Sequence, residues 1–165
     1  MQVPSRKIGK YHHLKPDPNL TLEKFNDLKY KLERLKKISQ PKAILEVRRL
    51  AEMGDFSDNE AYSMAKGRLR GINQGIIEIE DHLKRAVIIK PTYSDRVVLG
   101  SQVVLLVNGK EKSYTLLGSA ETDPERGIIS HNSPIGQAIM NKKCGDTVEI
   151  QAINKTIIYK IVQIS

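Results

Sequence analysis

Ala65, Leu69, Ile72, Ile76, Ile79 and Leu83 recur in alternating steps of four and three residues. That spacing places all six on one side of an α-helix, as a heptad-like stripe more than two repeats long. A stripe of this kind cannot stay in water, so the helix needs a partner. The preceding segment supplies one. Phe25, Leu28, Leu32 and Leu35 share a helical face, and Ile44, Leu45, Val47, Leu50 and Ala51 continue the helical character. Thr21 suits an N-cap and Gly54 suits the stop. Pro41 lacks the amide and crowds the turn before it, which predicts a kink or short break near Ser39–Gln40. The expectation is an antiparallel coiled-coil hairpin, an arm of ~45 Å at 1.5 Å rise per residue.

Between the two helices the chain reads Glu52-Met53-Gly54-Asp55-Phe56-Ser57-Asp58-Asn59-Glu60. Four acids and no base fall there, in a chain with a formal net charge of +8. Helix capping by Asp58 or Asn59, together with the helix dipole, accounts for one or two of these acids. It does not account for Phe56 beside them or for their concentration where the hairpin bends. Carboxylates at the end of a rod are better placed to enter another molecule's site than to build one locally. Gly67, Gly71 and Gly75 also stand out, since each costs about 1 kcal/mol against Ala in a helix interior. A narrow surface, a closely approaching partner or local bending would each explain them. The intervening Lys66, Arg68 and Arg70 exclude the membrane small-residue motif.

Composition narrows the function classes. Two Phe, six Tyr and no Trp leave little for a stacking platform or a deep apolar pocket. The 27 Lys and Arg against 19 Asp and Glu favour polyanionic partners. Residues 1–90 carry 19 of those bases against 12 acids, and residues 91–165 carry 8 against 7. The excess therefore sits on the arm and the segment before it. Residues 1–20, with Pro4, Pro16 and Pro18 and no periodicity, read as a flexible leader. His12 and His13 lack partners at metal-ligand spacing. The lone Cys144 and the lack of a signal peptide or membrane-length run point to a cytoplasmic setting. No zinc spacing, phosphate loop or dinucleotide fingerprint occurs, so no enzyme of its own is expected and no metal or cofactor held alone.

Pro91 opens a second unit, residues 91–165, after the hairpin of residues 21–90. Val103–Val107 reads as a strand, Asn108-Gly109 as a tight turn and Ser113–Leu117 as the return. Gly127–Ser130 suits a short strand, and Ser133-Pro134 a helix start leading into Ile135, Ala138, Ile139 and Met140. Gly145-Asp146 turns into Val148–Ala152, and Ile157–Ile164 ends the chain as a strand. The fold class is α+β: a helical hairpin, then a small antiparallel sheet with one short helix. On the hairpin, Lys66, Arg68 and Arg70 are the cations placed to hold a phosphate backbone near the acidic turn, a backbone that the resemblance below implies is RNA.

From Thr21 to the C-terminus the chain resembles the bacterial Gre family of transcript-cleavage and elongation factors. The resemblance rests on Gln40-Pro41-Lys42-Ala43-Ile44 and on Gly54-Asp55-Phe56-Ser57-Asp58-Asn59-Glu60-Ala61-Tyr62. It rests also on Gly100-Ser101, Ile129-Ser130-His131-Asn132-Ser133-Pro134-Ile135 and Gly145-Asp146. It implies an FKBP-like fold for residues 91–165, used for docking at the polymerase rim and not for prolyl isomerisation. It implies that the arm enters the secondary channel of bacterial RNA polymerase in a transcription complex on DNA. There Asp55 and Asp58 would be tip carboxylates sharing a magnesium ion with polymerase, which cleaves the backtracked 3′ segment of the nascent RNA. Phe56, Asn59 and Tyr62 would support the tip, and Asp123, Glu125 and Ile135 would face polymerase. A monomer is expected.

The tip departs from the family pattern. Asp58 stands where the family has glutamate, one methylene longer. Phe56 stands for the usual leucine. Glu60-Ala61 inverts the family's Ala-Glu order, turning that acid by about 100° around the helix. Glu60 is therefore an auxiliary carboxylate in one reading. In the other, the factor regulates or inhibits polymerase from the channel without promoting cleavage.

Overall fold

A computed structural model describes residues 15–53, 60–90, 94–152 and 155–165. Thr21 opens the first helix as expected: its hydroxyl accepts from the Lys24 amide at 3.1 Å. Helix α1 (Leu22–Arg34) passes into a π-helical turn, Leu35–Ser39, and then into α2 (Gln40–Glu52). The kink or short break expected near Ser39–Gln40 takes the form of this π-helical turn, and the chain stays helical through it. Gln40 keeps helical angles although it precedes proline, and its amide reaches back to the Leu35 carbonyl in the wider π register. An α-helical proline would strike the carbonyl four residues back, and the widened turn just before it relieves that clash. Gln40 Nε2 also donates to Asn73 Oδ1 at 2.8 Å, so cross-helix packing holds a conformation that local preference disfavours.

Helix α3 (Glu60–Arg85) is uninterrupted. Its stripe faces α1 and α2: Ala65 and Ile76 are buried, and Leu69, Ile72, Ile79 and Leu83 are half-buried. Three polar contacts show the antiparallel register, Lys36 with Glu80, Gln40 with Asn73 and Glu46 with Arg68. Each step outward along the first helix is matched by a step back along α3, so the reversal of direction falls between Glu52 and Glu60.

The second unit is a five-stranded sheet in the order β5-β4-β3-β7-β6, built from β3 (Gln102–Val107), β4 (Lys110–Leu117), β5 (Ile128–Ser130), β6 (Thr147–Ala152) and β7 (Lys155–Ile164). Asn108 and Gly109 both take positive φ, 50° and 75°, the mirror-image turn that suits the twist of a hairpin. The sheet is not wholly antiparallel. Strand β5 runs parallel to β4, because two 3-10 turns, Ser119–Glu121 and Pro124–Arg126, bring the chain back beside Thr115, from where Ile128–Ser130 follows Thr115–Leu117 in the same direction. Helix α4 (Pro134–Ile139), capped by Ser133, contributes Ile139 to a core shared with Val103, Leu105, Leu116 and Ile161 of the sheet.

The end of the expected leader is held in place. Strand β1 (Asn19–Leu20) pairs in parallel with β2 (Val87–Ile88), the chain leaving α3, and Leu20 is fully buried. Asp17 accepts from its own neighbour Asn19 and from Ser119 of the sheet unit. Backbone and carboxylate bonding, not periodic packing, orders this segment, so a search for periodicity does not find it.

Candidate functional site

The hairpin sets the geometry of its far end. From Leu22 to Glu52 the helices rise ~45 Å at 1.5 Å per residue, and the base of that span is tied to the sheet unit at Thr21, whose amide donates to Glu121 at 2.8 Å. Asp55, Phe56, Asp58 and Asn59 lie outside the described residues. The helix ends that flank them are described. Glu52 and Glu60 are both exposed, and Glu60 opens α3, where an acid suits the positive end of the helix dipole. Among the described residues no group of three or more histidine, cysteine or acidic side chains stands together.

Behind the tip the expected cationic trio divides. Tyr62 is half-buried, and Lys66 Nζ lies 5.2 Å from its ring centroid, a cation–π contact one turn along α3. Arg70 is exposed one turn further on, on the same side as Lys66. Arg68 is turned about 200° from Lys66 and pairs with Glu46 of α2 at 2.8 Å. Lys66 and Arg70 therefore form the outward-facing pair, while Arg68 helps to fix the hairpin.

The three docking candidates on the sheet unit are not equivalent. Asp123 caps the turn Pro124–Arg126, accepting from the Arg126 amide at 3.4 Å with the Arg126 guanidinium 3.5 Å away. Glu125 is exposed and lines a cleft of about 360 Å³ with Lys112, Tyr114 and Arg126. Ile135 is half-buried and packs against the core from α4. Glu125 is thus the one of the three whose side chain is exposed.

Sequence reasoning missed the joint at the base of the arm. The Thr21 hydroxyl and amide both donate to the Glu121 carboxylate, one hundred residues away in the chain. Asp17 is bonded to Ser119, Asn19 and His131. Burial pushes the Asp17 carboxyl up, but the Ser119 and Asn19 amides, helped by the Asn19 side chain and His131, outweigh it and hold it below the usual carboxylate range. The one local signal was an acid set between Pro16 and Pro18.

A long two-helix arm seated on a small mixed sheet defines the class of protein by its architecture: a helical hairpin projecting from a compact sheet unit. Comparison with known proteins supplies the particular family. Residues 19–88 match the family model "Transcription elongation factor, N-terminal" and residues 91–165 match "Transcription elongation factor, GreA/GreB, C-term". The transcription elongation factor GreA of Macrococcus caseolyticus is 37% identical over 150 residues, covering 88% of this chain and 95% of that one. That of Mycoplasma capricolum subsp. capricolum is 38% identical over 147 residues, covering 86% and 92%. A solved structure of the transcription factor Gfh1 is 26% identical, covers 92% of this chain and 99% of that one, and has a TM-score of 0.44. The chain belongs to the GreA/GreB family of transcription elongation factors.

Proposed function

We propose that this protein stimulates the magnesium-dependent cleavage that bacterial RNA polymerase performs on its own backtracked transcript, and so returns arrested complexes to elongation. The observation that supports this reading is the hairpin register, which carries the helix ends on either side of the acidic segment, Glu52 and Glu60, ~45 Å from the base of the arm. The sheet unit anchors the factor to polymerase, and the arm passes down the secondary channel as a monomer in the cytoplasm. The chemistry stays with polymerase.

At the active centre, Asp55 and Asp58 present carboxylate oxygens, hard donors that suit magnesium. Asp55 and Asp58 would help to hold such an ion, which would supply charge stabilisation for phosphodiester cleavage. The two aspartates hold and orient, and Glu60 at the start of α3 supplies a further carboxylate beside them. Tyr62 stiffens the entry to α3, with Phe56 and Asn59 supporting the turn before it. Lys66 and Arg70 meet the extruded 3′ segment of the RNA through its phosphates.

A second reading, a channel-bound regulator without cleavage activity, is favoured by one feature: the Asp58-Asn59-Glu60-Ala61 order. A shorter acid and a displaced one together alter ligand placement on the scale to which catalysis is sensitive. A cleavage assay on stalled elongation complexes separates the two. Wild type is expected to shorten the RNA in magnesium and not in chelator, and D55N to lose the activity while still binding polymerase. A fully active D55N protein would sink the proposal. A sharp gain in D58E with little activity in wild type would favour the second reading.

A further inference from the structure

We propose that residues 16–21 form a clamp that sets the direction of the arm relative to the sheet unit, with Asp17 as its positioning residue. Covalently, the arm reaches the sheet unit only through the segment after Arg85, and a single chain crossing leaves a rod free to swivel about it. The clamp supplies a second crossing. On the arm side, His82 Nε2 donates to the Asp17 carbonyl at 2.9 Å, and Arg85 Nη1 to the Pro16 carbonyl at 3.3 Å. On the sheet side, the Asp17 carboxylate accepts from the Ser119 amide at 2.8 Å and lies 3.4 Å from His131 Nδ1. Between them, the Pro18 and Leu20 carbonyls accept from the amides of Val87 and Ile89 at 2.7 and 2.8 Å, along the connecting segment itself. Thr21 closes the clamp on Glu121. Asp17 bonds to both units, and its side chain is 6% exposed.

The fit leaves no slack. A β-carbon on Gly118 would stand 2.1 Å from the Asn19 carbonyl oxygen, so the strap lies directly on the backbone of the turn beneath it.

The consequence for activity rests on the delivery reading above: for a ~45 Å arm, a swing of about 10° at the base displaces the tip by roughly 8 Å, far more than a catalytic ligand tolerates. The clamp itself is tested without polymerase, so its failure is distinct from failure of that reading. Cys144 is exposed and is the sole cysteine of the chain, a native site for one spin label on the sheet unit. M64C places the second on the arm, where Met64 is 68% exposed. Pulsed dipolar spectroscopy on the full chain is expected to give a narrow distance distribution. D17A, which removes the shared acceptor, and G118A, which pries the strap upward, are each expected to at least double its width while helix circular dichroism is unchanged. If both variants fold and keep the wild-type width, the clamp does not set the arm and the proposal is wrong. G118A retains the Asp17 side chain, so the test stands even where D17A fails to fold.

Discussion

Arg68 Nη1 stands 2.8 Å from Glu46 Oε2, an ion pair that crosses the hairpin from α3 to α2 about two turns behind the tip. Its geometry reports the register of the two helices, but both side chains are more than a third exposed. Solvent screening therefore limits what it contributes. A double-mutant cycle with E46A and R68A, read by urea unfolding, is expected to give a coupling below about 1 kcal/mol. A coupling above about 2 kcal/mol would mean that the pair, and not the apolar stripe, holds the hairpin together.

Gly67 and Gly71 have nothing within 4 Å of where a β-carbon would stand. Neither packing between the helices nor backbone strain explains them, which leaves surface shape as their role. G67A and G71A are each expected to stabilise the isolated protein by about 0.5–1 kcal/mol, measured by thermal or chemical unfolding. A destabilised variant would show that these glycines serve the fold.

Elements built from local chemistry were legible in the chain. The stripe from Ala65 to Leu83, the Thr21 cap, the Asn108-Gly109 turn and the Ser133-Pro134 helix start each depend on residues within one or two turns. What depends on distant partners was not. Pro41 announces an irregularity near Ser39–Gln40 but not its form, a π-helical turn that keeps the chain helical beside Asn73. Strand β5 runs parallel because of the two turns before it, which leave no periodic mark. Thr21 shows its cap but not Glu121, and Asp17 shows only its flanking prolines. At the candidate site, Glu60 opens α3, Tyr62 stacks under Lys66, and Arg68 pairs with Glu46 across the hairpin. The tip aspartates stand on the sequence and the family resemblance.

Asp17 is held below the usual carboxylate range in the folded protein, so its contribution to stability has a definite sign with pH. A depressed carboxyl stabilises fully above the unfolded value of ~3.9. That contribution fades as pH falls through this value toward the folded one. The stability difference between wild type and D17N is expected to be constant near neutrality and to shrink below about pH 4. A difference that grows on acidification would contradict the bonding described for Asp17.

Reach is the central claim, and it is tested by changing length while keeping every site residue. Insertion of one heptad between Lys42 and Ala43 and a matching heptad between Gly71 and Ile72 lengthens both helices in register by about 10 Å. The decisive measurement is the rate at which stalled elongation complexes shorten their RNA with the lengthened protein and with wild type. Loss of cleavage with polymerase binding retained is the predicted result. Cleavage at the wild-type rate would contradict the account, because a tip displaced by that distance could not be delivering its carboxylates to the same place.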